Sequence, residues 1–364
     1  MKKSLLALSI LSMFAGVASA QTSVVIYGSI DGGVRDLNHV AITPTTTGTK
    51  LSMGSNGTFN SNRLGFRGTE DLGGGMNAHF LLETGFNSGT GAFDGTAGSV
   101  TPTRIFNRGA FVGLGGTWGA LDLGQQYTVV FKTMLGYEPF GYNYPGIVPV
   151  IAASGGNTLL SNNVSRFSND VQYTGDFGPI KVRAEHSFGE VAGDTRANSA
   201  NGVGATYAAG PFSVGSAYIR RTDNSTVNPL LAAGTTADYN VFTVGGAYTF
   251  GPARLTAGYN KQKQQNGGIL ADTNTRLTWV GLNYDFTPLF QLTGAYYRTN
   301  VSAQAGSGKT DFYIVGAKYL LSKRTNFYAD IDSKKLGGIS RINASSLFPQ
   351  DSQTGVSIGV NHNF

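Results

Sequence analysis

The stretch "GVSIGVNHNF", residues 355–364, divides into two faces when every second residue is read. Val356, Ile358, Val360, His362 and Phe364 share one side, and Ser357, Gly359, Asn361 and Asn363 share the other. A period of two marks a β-strand whose faces meet different surroundings. The stretch finishes on an aromatic with no polar tail behind it. Chain ends usually fray, so this strand is expected to be paired to its last residue.

The same alternation recurs upstream. In "NVFTVGGAYTF" (240–250), Phe242, Val244, Tyr248 and Phe250 oppose Thr243 and Thr249. In "TWVGLNYDF" (278–286), Val280, Leu282, Tyr284 and Phe286 oppose Asn283 and Asp285. In "IKVRAEHSF" (180–188), Ile180, Val182, Ala184 and Phe188 oppose Lys181, Arg183, Glu185 and Ser187. Each segment has one greasy and one wet face, as an antiparallel strand between two solvents requires.

Composition narrows the class. Charged residues are only 13% of the 364, about half the usual quarter of a soluble domain, and Gly reaches 52. Cys is absent, so disulfides and thiolate-bound metals are excluded. "MKKSLLALSILSMFAGVASA" (1–20) has a basic start, a short apolar core and a small-residue end. That is the pattern of a cleaved signal peptide, with residues 21–364 forming one mature domain. Its apolar run is too short to span a bilayer, which takes about 20 residues. No later run approaches that length. With Lys2 and Lys3 gone, the formal net charge falls from +6 to +4, and the cations are scattered. Nucleic-acid binding is therefore not expected.

The connections alternate between short and long. Seven short turns fall near 70–76, 115–119, 176–180, 208–212, 249–253, 285–289 and 321–325. Eight longer Gly/Ser/Asn/Thr-rich stretches lie near 36–62, 86–104, 126–165, 189–201, 221–238, 261–274, 299–310 and 334–352. Fifteen connections join sixteen strands. An even count with this asymmetry predicts an all-β fold, a 16-stranded antiparallel transmembrane β-barrel with short periplasmic turns and long extracellular loops. Phe177, Phe212, Phe250, Phe286 and Phe290 sit beside the short turns and would form an aromatic girdle at one membrane edge. Closure would pair the last strand with the first, "SVVIYGSIDGGV" at 23–34.

At this point the chain resembles the trimeric sixteen-stranded general porins of the Gram-negative outer membrane, in particular their β-proteobacterial branch. The landmarks are "VVIYGSIDGGV" at the start, "SNRLGFRGTEDLGGGMNAHFLLETGF" at 61–86, "NRGAFVGLGGTWGALDLGQQY" at 107–127 and the terminal "GVNHNF". The resemblance implies a homotrimer set in outer-membrane lipid and lipopolysaccharide, passing small hydrophilic solutes and ions. It also implies that Phe364 forms a recognition signal for the barrel-assembly machinery. His362 departs mildly, standing where relatives often have another aromatic.

A diffusion channel needs a wet bore, a constriction and a field across it, with no catalytic residue or cofactor. In similar porins the loop corresponding to 126–165 folds inward and carries an acid beside Pro, Phe and Gly. Glu138, Pro139, Phe140 and Gly141 match that pattern in substance, with Glu and Pro in reversed order. Glu138 is thus expected on the acidic side of the eyelet, with Lys132 on the same loop. The basic side should come from the wall. Arg63 and Arg67 share a parity opposite Leu64 and Phe66, so lipid contact by the apolar pair turns both arginines to the lumen. A lipid-facing Arg near the midplane would cost about 2–4 kcal/mol. Arg108 and Arg166 match positions where relatives place eyelet arginines. Where the family often has a further basic residue, this chain has Gln125 and Gln126. Arg67 could equally be a solvated wall residue, and Glu83 and His79 could also line the bore. The arginines imply a mild anion preference.

Three rivals stand beside this reading. An outer-membrane enzyme would need an oriented nucleophile or base. The four His residues, however, are dispersed, and no HExxH or GxSxG occurs. A substrate-specific channel would need a dedicated solute track, to which Tyr137, Phe140, Tyr142 and Tyr144 could contribute unless they pack the loop to the wall. A secreted soluble adhesin would fold without detergent.

Overall fold

The computed structural model describes residues 23–43, 46–53, 57–93, 104–144, 165–267, 270–343, 346–347 and 351–364. The expected signal segment 1–20 and the second half of the long loop lie outside these residues. Strand β1 is Ser23–Ala41. Strand β2 comes in two pieces, β2a (Thr47–Met53) and β2b (Arg63–Gly73), which pair with the upper and lower parts of β1. Next come β3 (Met76–Gly85), β4 (Gly109–Gly116), β5 (Gly119–Tyr127), helix α1 (Val129–Leu135), β6 (Arg166–Phe177), β7 (Ile180–Ser187) and β8 (Ala200–Ala209). They continue as β9 (Phe212–Asn224), β10 (Thr236–Phe250), β11 (Ala253–Gln264), β12 (Thr273–Thr287) and β13 (Phe290–Ala303). The circuit ends with β14 (Gly306–Leu320), β15 (Thr325–Gly338) and β16 (Ser352–Asn363).

Every strand pairs antiparallel with its sequence neighbours, and β16 closes on β1 from Ser29↔Asn363 to Leu37↔Gly355. The result is a closed 16-stranded barrel. Pairing runs to the last residue: Phe364 donates its N–H to the Gly28 carbonyl and accepts from the Gly28 N–H, both at 3.1 Å. The terminal strand is inside out relative to a soluble protein. Ile358 is 64% exposed, while Ser357 is 1% exposed on the inward face. Outward apolar side chains meet lipid, and inward polar ones meet each other and water.

The short turns span two to four residues, and the ring of aromatics beside them is present. Phe177, Phe212, Phe250 and Phe286 are all outward and exposed, with Phe286 5.7 Å from Phe290 between ring centres. Two connections depart from expectation. Part of the expected 36–62 loop is strand, because β1 and β2a continue their ladder above the membrane. The expected loop at 299–310 is a tight hairpin. Pairing runs from Val301↔Gly308 to Ala303↔Gly306, so a Gly- and Ser-rich composition concealed extended strands.

Buried apolar residues concentrate where the long loop meets the wall. Val129, Val130, Met134, Phe140 and Tyr144 pack against inward residues such as Ile219, Val241, Leu277, Trp279 and Phe312. The hydrophobic core of this barrel is therefore the seat of its loop.

Candidate constriction site

The loop starts at a capped helix. Thr128 caps α1 by accepting the Phe131 N–H at 3.2 Å, and Glu185 of β7 accepts the Val129 N–H at 3.1 Å. From there the chain crosses the inner wall, strand by strand. Arg254 donates to the Gly136 carbonyl at 2.6 Å, Trp279 to the Tyr137 carbonyl at 2.8 Å, and Asn283 to the Pro139 carbonyl at 2.8 Å. Tyr144 donates its hydroxyl to the Ala317 carbonyl at 3.2 Å. Wall glycines make room for this path. A Cβ on Gly281 would lie 2.3 Å from Pro139, and one on Gly316 would lie 2.7 Å from the Tyr144 ring. No larger residue at either position admits the loop where it lies.

Glu138 is the internal staple of this loop. Its carboxylate accepts the Phe140 N–H at 2.9 Å, the Tyr142 N–H at 2.7 Å and the Tyr297 hydroxyl of β13. Those bonds hold Tyr142 at a φ of +60°, a left-handed conformation that bulky residues rarely adopt. Glu138 is only 2% exposed. Burial pushes its carboxyl up to about 7 against the opposing hydrogen bonds. The expected acidic side of the eyelet is thus corrected: Glu138 faces its own backbone and the wall, because the turn needs an acceptor there. Pro139 fills the Gly281 notch, Phe140 is buried and Gly141 makes the turn at a φ of +59°. Lys132 is held by Gln126 at 3.3 Å and by Gln172, both behind the helix. Tyr137 and Tyr144 are also buried and pack the loop, while Tyr142 is half-buried with its ring 4.5 Å from that of Phe131.

A second inward segment, residues 57–62, covers β1. Asp31 accepts the Thr58 N–H at 2.7 Å and the Tyr328 hydroxyl at 2.9 Å. Phe59 then stacks on Tyr328 at 4.9 Å and meets Tyr144 edge-on at 4.9 Å.

Beside the loop's entry, where Tyr127 stacks on Phe131 at 4.3 Å, three arginines converge on the wall. Arg108 donates Nε to Glu83 at 2.7 Å and Nη2 to the Tyr127 hydroxyl at 2.9 Å. The Arg166 guanidinium lies 4.2 Å over the Tyr127 ring, bonds to its hydroxyl, and donates Nε to the Arg108 carbonyl at 2.8 Å. Arg63 donates to Asn60 at 2.7 Å beside them. Tyr27 donates to the other Glu83 oxygen at 2.8 Å. Of the three guanidiniums, Arg108 alone bonds a carboxylate among the described residues, and the wall carries surplus positive charge. Arg67 faces the same lumen but stands apart, exposed and 5.2 Å over Tyr27. His79 pairs with Asp122 at 2.7 Å nearer the periplasmic end.

Tyr127 organises the cluster, and parity alone would turn it outward. Asp122, Gly124 and Gln126 are on the inward register, but the ladder to β6 shifts between Gly124 and Gln126. This irregularity lets Tyr127 join the lumen as well. The sequence signal was the aromatic closing "LDLGQQY", just before the long loop. From the sequence Glu83 reads only as a bore-lining possibility, because its pairing with Arg108 crosses a long stretch of chain.

A lipid-facing cylinder of strands with a wet, narrowed bore is a transmembrane diffusion channel of the outer-membrane class. The chain belongs to the Gram-negative porin family, whose profile it matches over residues 7–338. It is 30% identical to an outer membrane porin protein of Bordetella pertussis and 30% identical to outer membrane porin protein 32 of Delftia acidovorans, in each case over the whole of both chains. An anion-selective porin from Comamonas acidovorans superposes with a TM-score of 0.76 at 24% identity, covering 94% of this chain and 100% of that one. The protein is an outer-membrane porin, a channel for passive diffusion of small hydrophilic solutes and ions.

Proposed function

We propose that the channel prefers anions, with Arg63, Arg108 and Arg166 forming the selective wall. The observation that carries this is the convergence of three guanidiniums around Tyr127, with Glu83 as the bonded carboxylate. With Glu138 withdrawn into the loop, no acid from that segment offsets them. The anion selectivity of the Comamonas porin supports the same sign. The reading includes no catalytic step. The buried loop aromatics weigh against a dedicated substrate track. Residues 1–20 act as the export signal, and Phe364 presents the closing strand to the assembly machinery. Three copies assemble, as in the trimer form of a similarly folded outer membrane protein of Vibrio cholerae.

The test is the reversal potential of the purified protein in a planar bilayer under a KCl gradient. Anion preference that falls when Arg108 and Arg166 are replaced by Gln supports the assignment. Cation preference in the unaltered protein would overturn it.

A further inference from the structure

We propose that a recess inside the barrel, between the inward loop and the short-turn rim, binds small zwitterions with an aliphatic body, of the α-amino acid class. The proposal goes beyond the anion preference argued above and does not depend on it. The recess has a volume of about 370 Å³, bounded by the loop on one side and by β10 to β13 on the other. Small-molecule sites occupy roughly 300–1,000 Å³, so this one suits a compact solute.

Its lining carries two opposite charges that do not neutralise each other. Arg254 on β11 is the ladder partner of Asn283 on β12, and Asp285 is the next β12 residue of the same parity. Arg254 and Asp285 are therefore diagonal neighbours on one face, about 7–8 Å apart between Cα atoms. Among the described residues they form no ion pair. Arg254 donates to the Gly136 carbonyl at 2.6 Å, and Asp285 accepts the Gln291 amide at 2.7 Å. Each charge is held by an uncharged partner, and both border the same hollow. Glu138 borders it too, but its carboxylate is turned to the Phe140 and Tyr142 N–H groups and to Tyr297. Lys318, opposite Gln291 on β14, lines a separate and smaller hollow.

The same recess carries an aliphatic side chain that the loop leaves uncovered. Leu135 ends helix α1 and is 42% exposed, whereas Val129, Val130 and Met134 of that helix are buried against the wall. Leu135 lines the recess together with Pro252 of the β10–β11 turn. An apolar side chain open to a wet bore gains from any solute that takes its surface out of water. These three groups discriminate among solute classes. A plain anion uses Arg254 and is repelled by Asp285, and a plain cation meets the reverse. A neutral sugar leaves both charges unmatched and Leu135 wet. A zwitterion with an aliphatic side chain answers all three. Its carboxylate takes the guanidinium donors that Gly136 leaves unused, and its ammonium donates to the Asp285 carboxylate. Its side chain covers Leu135. Binding in so open a recess is weak, in the millimolar range, which lets a channel release what it holds.

The test uses the purified protein in planar bilayers, with current noise reading the residence of added solute. The probes are L-leucine and three relatives that each lack one of its groups. These are 4-methylpentanoate without the ammonium, 3-methylbutylamine without the carboxylate, and glycine without the side chain. L-leucine should produce noise at about tenfold lower concentration than any of the three. Asp285→Asn should bring L-leucine to the level of 4-methylpentanoate, and Asp285→Glu should keep the difference. Leu135→Gln should bring L-leucine to the level of glycine. Equal noise from L-leucine and 4-methylpentanoate in the unaltered protein, a measurement that needs no variant, would overturn the proposal and move the residence to the arginine wall. So would an undiminished L-leucine response in Asp285→Asn. The KCl reversal potential is read in the same bilayers, so failure of the anion-preference reading is visible apart from failure of this one.

Discussion

Two halves of the bore are built on opposite principles. From β7 to β14 the wall is small or apolar where the loop lies, and the loop fills it as a core. Around β2b, β4 and β6 the wall keeps long cations, with Arg108 and Glu83 buried as a pair. The first half is fixed by packing, with Gly281 and Gly316 shaped to receive Pro139 and Tyr144. The second half is fixed by charge-assisted hydrogen bonds radiating from Tyr127 and Glu83. On the proposed reading, packing sets how wide the passage is and the arginines set what it favours. Substitutions on the two sides should therefore fail differently.

The largest effect is expected from Arg108→Ala. It strands Glu83, which is 7% exposed, without its guanidinium. Removing one partner of a buried pair costs roughly 3–5 kcal/mol. Reversal potentials should move sharply towards cations, and a second change, Glu83→Gln, should recover most of the loss. If anion preference survives Arg108→Ala intact, selectivity resides elsewhere.

Gly281→Leu attacks the other half. The new side chain would occupy the Pro139 notch, and such overpacking costs about 1–3 kcal/mol. Conductance should rise and become noisier as the loop lifts, while the sign of selectivity stays. Unchanged conductance would mean that the loop is not held by that notch.

A smaller effect belongs to pH. The Glu138 carboxyl is held at about 7 in the folded loop against 4.5 when free, so the folded state binds its proton more tightly. The neutral form favours docking, and that advantage is lost as pH rises through about 7. Channel noise should increase from about pH 6 to about pH 8, and Glu138→Gln should abolish the change. A pH dependence that persists in the variant would assign it to another group.

Smallest of all is Arg67→Gln. Arg67 is exposed and outside the cluster, so the change should stay within about 0.5 kcal/mol and barely move the reversal potential. A shift as large as that from Arg108 would dissolve the distinction between clustered and solvated wall arginines.

The barrel itself was written in alternation. Lipid outside and water inside impose opposite demands on successive residues, so Val356, Ser357 and Ile358 declare their sides without a structure. The same parity placed Arg63 and Arg67 in the lumen, since a cation on the lipid side is too costly. Aromatics beside short turns marked the periplasmic rim for a similarly local reason.

What escaped the sequence depends on contacts between distant segments. Glu138 reads as an eyelet acid until Tyr297 and two backbone N–H groups are found around it. Tyr127 reads as outward until the register shift before it is known. The segment 299–310 reads as a loop until Val301 and Gly308 are seen paired. Sequence fixes the side a strand residue faces wherever the ladder is regular, because the pleat has a strict period and the two solvents differ. Only the tertiary structure decides which inward residues meet, because loop path and strand register are set by packing summed over the whole wall.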